Sequence, residues 1–278
     1  MSGIVAHHGW FKDTKLHVDD TGGTGRPVVL IHGWPLSGES WSAQVPVLVE
    51  AGYRVVTYDR RGFGRSDKPA TGYTYDTLAD DLQTLLTELD LRDATLVGFS
   101  MGGGEVARLL AAHGSERVRS VVFAAAVTPY LLRTPGNPDG PLPESAALEM
   151  AAALTADREA FLDGFITDFF SVDGELRVTE DQRQEALALA RQADLGAALQ
   201  CMTAFGHTDF RDDLAKVTVP TLVLHGDGDA TVPFEGSGAR THAAIVDSEL
   251  IVLRGAPHGC NVSHAEEFDA ALLEFLGR

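Results

Sequence analysis

Val97-Gly98-Phe99-Ser100-Met101-Gly102-Gly103-Gly104 follows a short apolar run, Ala94 to Val97, and opens a segment of helical periodicity, Glu105 to His113. The chain must therefore reverse sharply at Ser100, from strand into helix. A serine at the tip of such a turn sits in strained backbone geometry with its hydroxyl exposed. The residues two before and two after it, Gly98 and Gly102, must be small, because a Cβ at either would collide across the turn. The plainer alternative is a glycine-rich helix start capped by serine. That alternative leaves three glycines in the first turn unexplained, since each costs about 1 kcal/mol relative to alanine and a cap does not require them.

Outward from this turn, apolar and β-branched runs alternate with helical patterns. Strands are predicted near Leu16 to Val18, at Val28-Val29-Leu30-Ile31, at Arg54-Val55-Val56-Thr57-Tyr58 and at Ser120-Val121-Val122-Phe123-Ala124-Ala125. Helices are predicted over Trp41 to Glu50, with Pro46 opening the regular turn, and over Thr77 to Leu89, with Leu78, Leu82, Leu85 and Leu86 on one side. The alternation reads as an α/β fold with a mostly parallel, doubly wound sheet. From about Pro129 to Asp213 the rhythm changes to helical stretches with no strand signal, introduced by Pro135-Gly136-Asn137-Pro138-Asp139-Gly140-Pro141. The expected organisation is a core over residues 1–128 and 214–278, interrupted by a helical cap over residues 129–213. Strands resume at Thr221-Leu222-Val223-Leu224 and Leu250 to Leu253, and a terminal helix runs from about His264 to Leu276.

The 278 residues are 44% hydrophobic, ample for a packed core. Against 40 Asp and Glu stand 22 Lys and Arg, a net charge of −18. Without a basic patch there is nothing to neutralise phosphates, so neither nucleic acid nor an anionic membrane is an expected partner. No run of about 18 apolar residues occurs, and the first thirty residues hold no apolar core of signal-peptide length, so the expected location is cytoplasmic. Cys201 and Cys260 lack metal-ligand spacing and read as small buried hydrophobes, so no metal site is expected. Whether the chain forms a homo-oligomer is left open.

A serine hydroxyl needs a base within hydrogen-bond reach, itself oriented by a third group. Ser100, a carboxylate in His225-Gly226-Asp227-Gly228-Asp229 and a histidine in Arg254-Gly255-Ala256-Pro257-His258 follow in that order, each cluster after a predicted strand, at the edge where open α/β sheets bind ligands. Asp229 is favoured over Asp227, which sits in the tight turn where an aspartate bonds its own backbone. Among ten histidines, His32 and His225 directly follow strands and read as structural, His7 and His8 lie at a terminus, and His264 opens a helix; this leaves His258 as the base. Two donors must face the oxyanion, each worth roughly 3 to 4 kcal/mol in the transition state. They are assigned to the backbone N–H of Met101 and of Trp34, whose carbonyl Pro35 holds in a restricted direction. Phe161, Phe165 and Phe169 recur at i, i+4, i+8, either as a stripe packing the cap on the core or as rings lining an acyl pocket. Pro35, Phe161, Phe165 and Val232 are taken as candidate pocket residues.

His32-Gly33-Trp34-Pro35-Leu36-Ser37-Gly38, Asp59-Arg60-Arg61-Gly62-Phe63-Gly64-Arg65-Ser66, Gly98-Phe99-Ser100-Met101-Gly102-Gly103-Gly104-Glu105-Val106-Ala107-Arg108, His225-Gly226-Asp227-Gly228-Asp229 and Ala256-Pro257-His258-Gly259 together resemble, nearly end to end, the cofactor-free (non-haem) bacterial chloroperoxidases, perhydrolases and aryl esterases of the α/β-hydrolase fold. The resemblance implies Ser100, Asp229 and His258 as the triad, the Trp34 and Met101 amides as the oxyanion hole, and no cofactor. It implies small ester or carboxylate substrates, with hydrogen peroxide as a second acyl acceptor. The peracid so formed would oxidise halide in solution. Relatives with proline after the tryptophan look like the better perhydrolases. Some relatives resemble γ-lactamases, so lactams and lactones stand as the alternative substrates, and a non-catalytic ligand-binding protein on the same scaffold as the remote one.

Overall fold

The computed structural model describes residues 2–6 and 13–278. Its first strands, β1 (Ser2–Ala6) and β2 (Thr14–Asp20), pair antiparallel, and β2 pairs antiparallel with β4 (Arg54–Asp59). From there the sheet is parallel through β3 (Pro27–Ile31), β5 (Ala94–Phe99), β6 (Val118–Ala124), β9 (Thr221–Gly226) and β10 (Glu249–Leu253). The spatial order is β1-β2-β4-β3-β5-β6-β9-β10. Every residue of β5 and β9 is buried, as in strands covered on both faces, whereas β2 alternates because only one face meets the core. β1 was not foreseen from the sequence.

The chain leaves β3 for β4 on one side and returns to β5 on the other, so the loops following β3 and β5 diverge from neighbouring strand ends. This is where an open α/β sheet forms a crevice. Helices α1 (Gln44–Glu50), α2 (Tyr75–Glu88), α3 (Met101–His113), α9 (Gly238–Ala244), α10 (Cys260–Ser263) and α11 (Ala265–Leu276) accompany the sheet. Pro46 is the third residue of α1, not its first; the helical turn before it, Gly38–Trp41, is a separate 3₁₀ segment.

Between β6 and β9 lie α4 (Glu144–Ala156), α5 (Arg158–Phe169), α6 (Glu180–Ala190), α7 (Leu195–His207) and the short α8 (Arg211–Leu214). Asp157 both ends α4 and caps α5, its carboxylate accepting the Ala160 N–H at 3.1 Å. The expectation of no strand here is corrected. β7 (Ser171–Val172) and β8 (Glu175–Leu176) form a small antiparallel hairpin around Asp173 and Gly174, with φ of 53° and 78°. Asp-Gly is the dipeptide that tolerates two successive left-handed residues, so the hairpin was written in the sequence but too short for a periodicity test. No described helix is long and apolar enough to cross a membrane.

Candidate active site

Ser100 stands between β5 and α3 with φ 53° and ψ −118°, a conformation that few side-chain-bearing residues hold without surrounding support. Support comes from the Ser100 N–H donating to Ala124 O at 2.8 Å, and from Ser100 O accepting the N–H of Gly103 and of Val127. A Cβ on Gly98 would lie 2.6 Å from the Gly102 carbonyl oxygen, the expected collision across the turn. A Cβ on Gly102 would instead strike β3, 2.7 Å from Ile31 O. This second glycine is therefore fixed by the neighbouring strand, which corrects the reading that both clash across the turn.

Ser100 Oγ is 2.9 Å from His258 Nε2, and His258 Nδ1 is 2.6 Å from Asp229 Oδ2. All three are buried, with Ser100 the most accessible at 6%. Asp229 follows β9, and its other oxygen accepts the N–H groups of Thr231 and Val232 at 2.9 and 2.7 Å. Burial would raise the Asp229 carboxyl, but the His258 charge and the hydrogen bonds of His225 and His258 outweigh it and bring the pKa down to about 2. An ionised acceptor at 2.6 Å holds the imidazole with its Nδ1 proton toward Asp229 and Nε2 free to face the serine. Asp227 is engaged elsewhere. Its two oxygens accept the Gly255 N–H and the Arg254 guanidinium, tying the turn after β9 to the loop after β10.

His225 does more than sequence reasoning gave it. It lies within β9, and its Nε2 sits 2.8 Å from Val232 O and 3.2 Å from Asp229 Oδ2, so one N–H holds both the acid and the loop carrying it. The spacing of four residues between His225 and Asp229 was the available signal. His32, as expected, is structural: its Nδ1–H faces Gly33 O at 2.8 Å, and its Nε2 accepts the Arg60 N–H at 2.9 Å. Burial, helped by the Arg60 charge, lowers its pKa to about 3 and keeps it neutral. Arg60, fully buried, also donates to His32 O at 2.6 Å and to Glu105 Oε1 on α3 at 2.5 Å. Sequence reading passed over this link between the loop after β3 and the helix after Ser100, because Arg60 and Glu105 are 45 residues apart. His7 and His8 lie outside the described residues.

Met101 is the first residue of α3, so its N–H has no carbonyl four residues back to bond. At Gly33 the loop after β3 passes so near the elbow that an added Cβ would lie 3.1 Å from Ser100 Cβ. The Trp34 indole N–H donates to Ala198 O at 3.1 Å, and its ring meets Phe165 edge-on with centroids 5.0 Å apart. The Trp34–Pro35 peptide bond is cis.

A cavity of about 950 Å³ opens over Ser100, walled by Trp34, Phe161, Phe165, Phe205, Met150 and Val232 among others. Three of the four candidate pocket residues are thus on the wall. Pro35 is the exception: it is buried and takes no part in the lining. The phenylalanine stripe divides. Phe161 and Phe165 face the cavity, while Phe169, 1% exposed, packs edge-on to the His258 ring at 4.9 Å and accepts the Gly259 N–H on its carbonyl.

Ser100 follows β5, Asp229 follows β9 and His258 follows β10, and the family of the α/β hydrolase fold matches residues 26–265, a span that holds all three. The chain belongs to the α/β-hydrolase fold family. Within that family this α/β-hydrolase is 42% identical to a non-heme chloroperoxidase of Kitasatospora aureofaciens, over 92% of this chain and 94% of that one. It is 37% identical to a bifunctional esterase/perhydrolase of Acinetobacter calcoaceticus, over 95% and 98% of the two chains. Among solved structures a bromoperoxidase from Bacillus anthracis superposes with a TM-score of 0.95 at 51% identity, with complete coverage of both chains.

Proposed function

We propose that this α/β-hydrolase is a serine esterase of small carboxylic esters that passes its acyl group to hydrogen peroxide as well as to water. The observation that carries it is the unbroken chain from Ser100 Oγ to His258 at 2.9 Å and on to Asp229 at 2.6 Å, opening on a largely apolar cavity. Ser100 Oγ attacks the acyl carbon while its proton passes to His258 Nε2. Asp229, ionised far below neutral pH, stabilises the imidazolium. The Met101 and Trp34 amides receive the negative charge developing on the carbonyl oxygen. His258 then returns the proton to the departing alcohol. Water attacking the acyl-enzyme yields a carboxylic acid; hydrogen peroxide attacking the same carbon yields a peracid. A peracid oxidises halide without the protein's further help, in keeping with the chloroperoxidase and perhydrolase names of relatives.

The test is a paired assay on purified protein: p-nitrophenyl acetate hydrolysis, and bromination of monochlorodimedone in acetate buffer with peroxide and bromide. Both reactions are expected, and both are expected to fall by about 10⁴-fold or more in Ser100→Ala. Hydrolysis surviving in Ser100→Ala overturns the nucleophile assignment. Hydrolysis without bromination overturns the perhydrolase half. Faster turnover of a γ-lactam or lactone than of open-chain esters would move the assignment to a lactamase or lactonase.

A further inference from the structure

We propose that Met150 is oxidised to its sulfoxide by the peracid this enzyme makes, so that perhydrolysis modifies the wall of its own cavity. The inference rests on the perhydrolase reading above. Met150 lies on α4, half-buried, on the wall of the cavity that also contains Ser100. The other sulfur atoms of the described residues are withdrawn from that space. Met101, though adjacent to Ser100 in sequence, is 0% exposed, and Met202 is 7% exposed and absent from that wall; it lines a smaller neighbouring cavity of about 90 Å³, which Met150 also borders. Cys201 and Cys260 are both buried. Burial pushes the Cys201 thiol up to about 12 and Cys260 higher still, so neither supplies the thiolate that oxidants attack. Of the sulfur-bearing residues described, Met150 alone is on the wall of the cavity that contains Ser100, the space in which a peracid is released.

The chemistry closes without another reagent. A lone pair of the thioether sulfur attacks the outer peroxy oxygen, the S–O bond forms and the O–O bond breaks. The peroxy proton goes to the departing carboxylate. Sulfur loses two electrons, the two peroxy oxygens gain one each, and the products are methionine sulfoxide and the free carboxylic acid. A flexible apolar side chain becomes a polar one on a wall built largely from aromatic and aliphatic groups, which weakens the fit for apolar acyl chains.

The experiment incubates the protein with p-nitrophenyl acetate and hydrogen peroxide, then quantifies a 16 Da gain on the peptides carrying Met101, Met150 and Met202. Met150 sulfoxide is expected to exceed Met202 sulfoxide about tenfold, and to exceed by a similar factor the level with peroxide alone or in Ser100→Ala. Excess free methionine, which scavenges peracid in solution, is expected to leave most of the Met150 oxidation in place. Bromination measured in parallel separates the two readings. Bromination without Met150 oxidation overturns this proposal and leaves the perhydrolase reading standing. Absence of both overturns both. Loss of Met150 oxidation in the presence of free methionine also overturns the proposal, since oxidation would then come from solution. Relative to its own starting rate, Met150→Leu is expected to lose esterase activity more slowly during turnover with peroxide; equal decay would overturn the link between the modification and activity.

Discussion

α3, which begins at the residue after Ser100, and α4, which contributes to the cavity wall, are both thirteen residues long, but nine residues of α3 are buried and only Leu154 of α4 is. α3 carries Gly102 of the elbow, the buried Glu105 that meets Arg60, and the amide of Met101. α4 contributes Met150 and Ala146 to the cavity wall, packs against α5 and α7, and leaves Leu148 66% exposed. The difference teaches that the reacting centre and the substrate wall are held by different forces. The centre is fixed by interlocked backbone and paired polar groups packed within the sheet. The wall is fixed by a few side chains laid over it.

The largest break in this comparison is expected at the sheet edge. Asp229→Asn keeps the shape but loses the charge that orients and stabilises His258, and kcat should fall roughly 10⁴-fold, measured on p-nitrophenyl acetate, with a much smaller change in KM. Gly102→Ala tests packing without chemistry. Its Cβ would lie 2.7 Å from Ile31 O on a strand that cannot yield, so a loss of about 2 to 4 kcal/mol is expected in urea unfolding.

Acid sharpens the contrast more gently. The His32 pKa is about 3 in the fold and about 6.5 when unfolded, so the unfolded chain binds the extra proton between those values. Its contribution to stability is complete above pH 6.5 and is lost as pH falls toward 3. Between pH 7 and pH 5 this amounts to about 2 kcal/mol, to be read from urea midpoints and to be reduced in His32→Asn. Asp229 has the same sign in a lower window, its contribution falling away between about pH 4 and its folded value of about 2. On α4, Leu148→Ala should change stability by less than about 0.5 kcal/mol. A larger loss would mean that this face of α4 is covered in solution.

The stripe Phe161, Phe165 and Phe169 shows why spacing stopped short of the pocket. One periodicity put three rings on one side of α5, and the structure sends two to the cavity and the third against His258. Periodicity reports which side of a helix is apolar, not what meets it. Gly259 makes the same point from the other side: a Cβ there would lie 2.2 Å from the Phe170 ring, so the loop holding His258 is pressed against the end of α5. No local pattern encodes that contact between segments ninety residues apart.

What the sequence alone determined is the set of features whose physics is local: the serine reversal with Gly98 behind it, the apolar strands buried on both faces, and the order of serine, carboxylate and histidine at strand ends. These are read within a few residues because turn sterics and strand burial act over that distance. What only the tertiary structure decided is which distant groups meet. It put His225 on Asp229, Arg60 on Glu105 beneath the loop bearing Trp34, and Pro35 off the cavity wall, and it brought α4 over Ser100 with Met150 facing in. Those choices follow from how the sheet, the helices beside it and the helices between β6 and β9 share one interior, a constraint that exists only once the whole chain is packed.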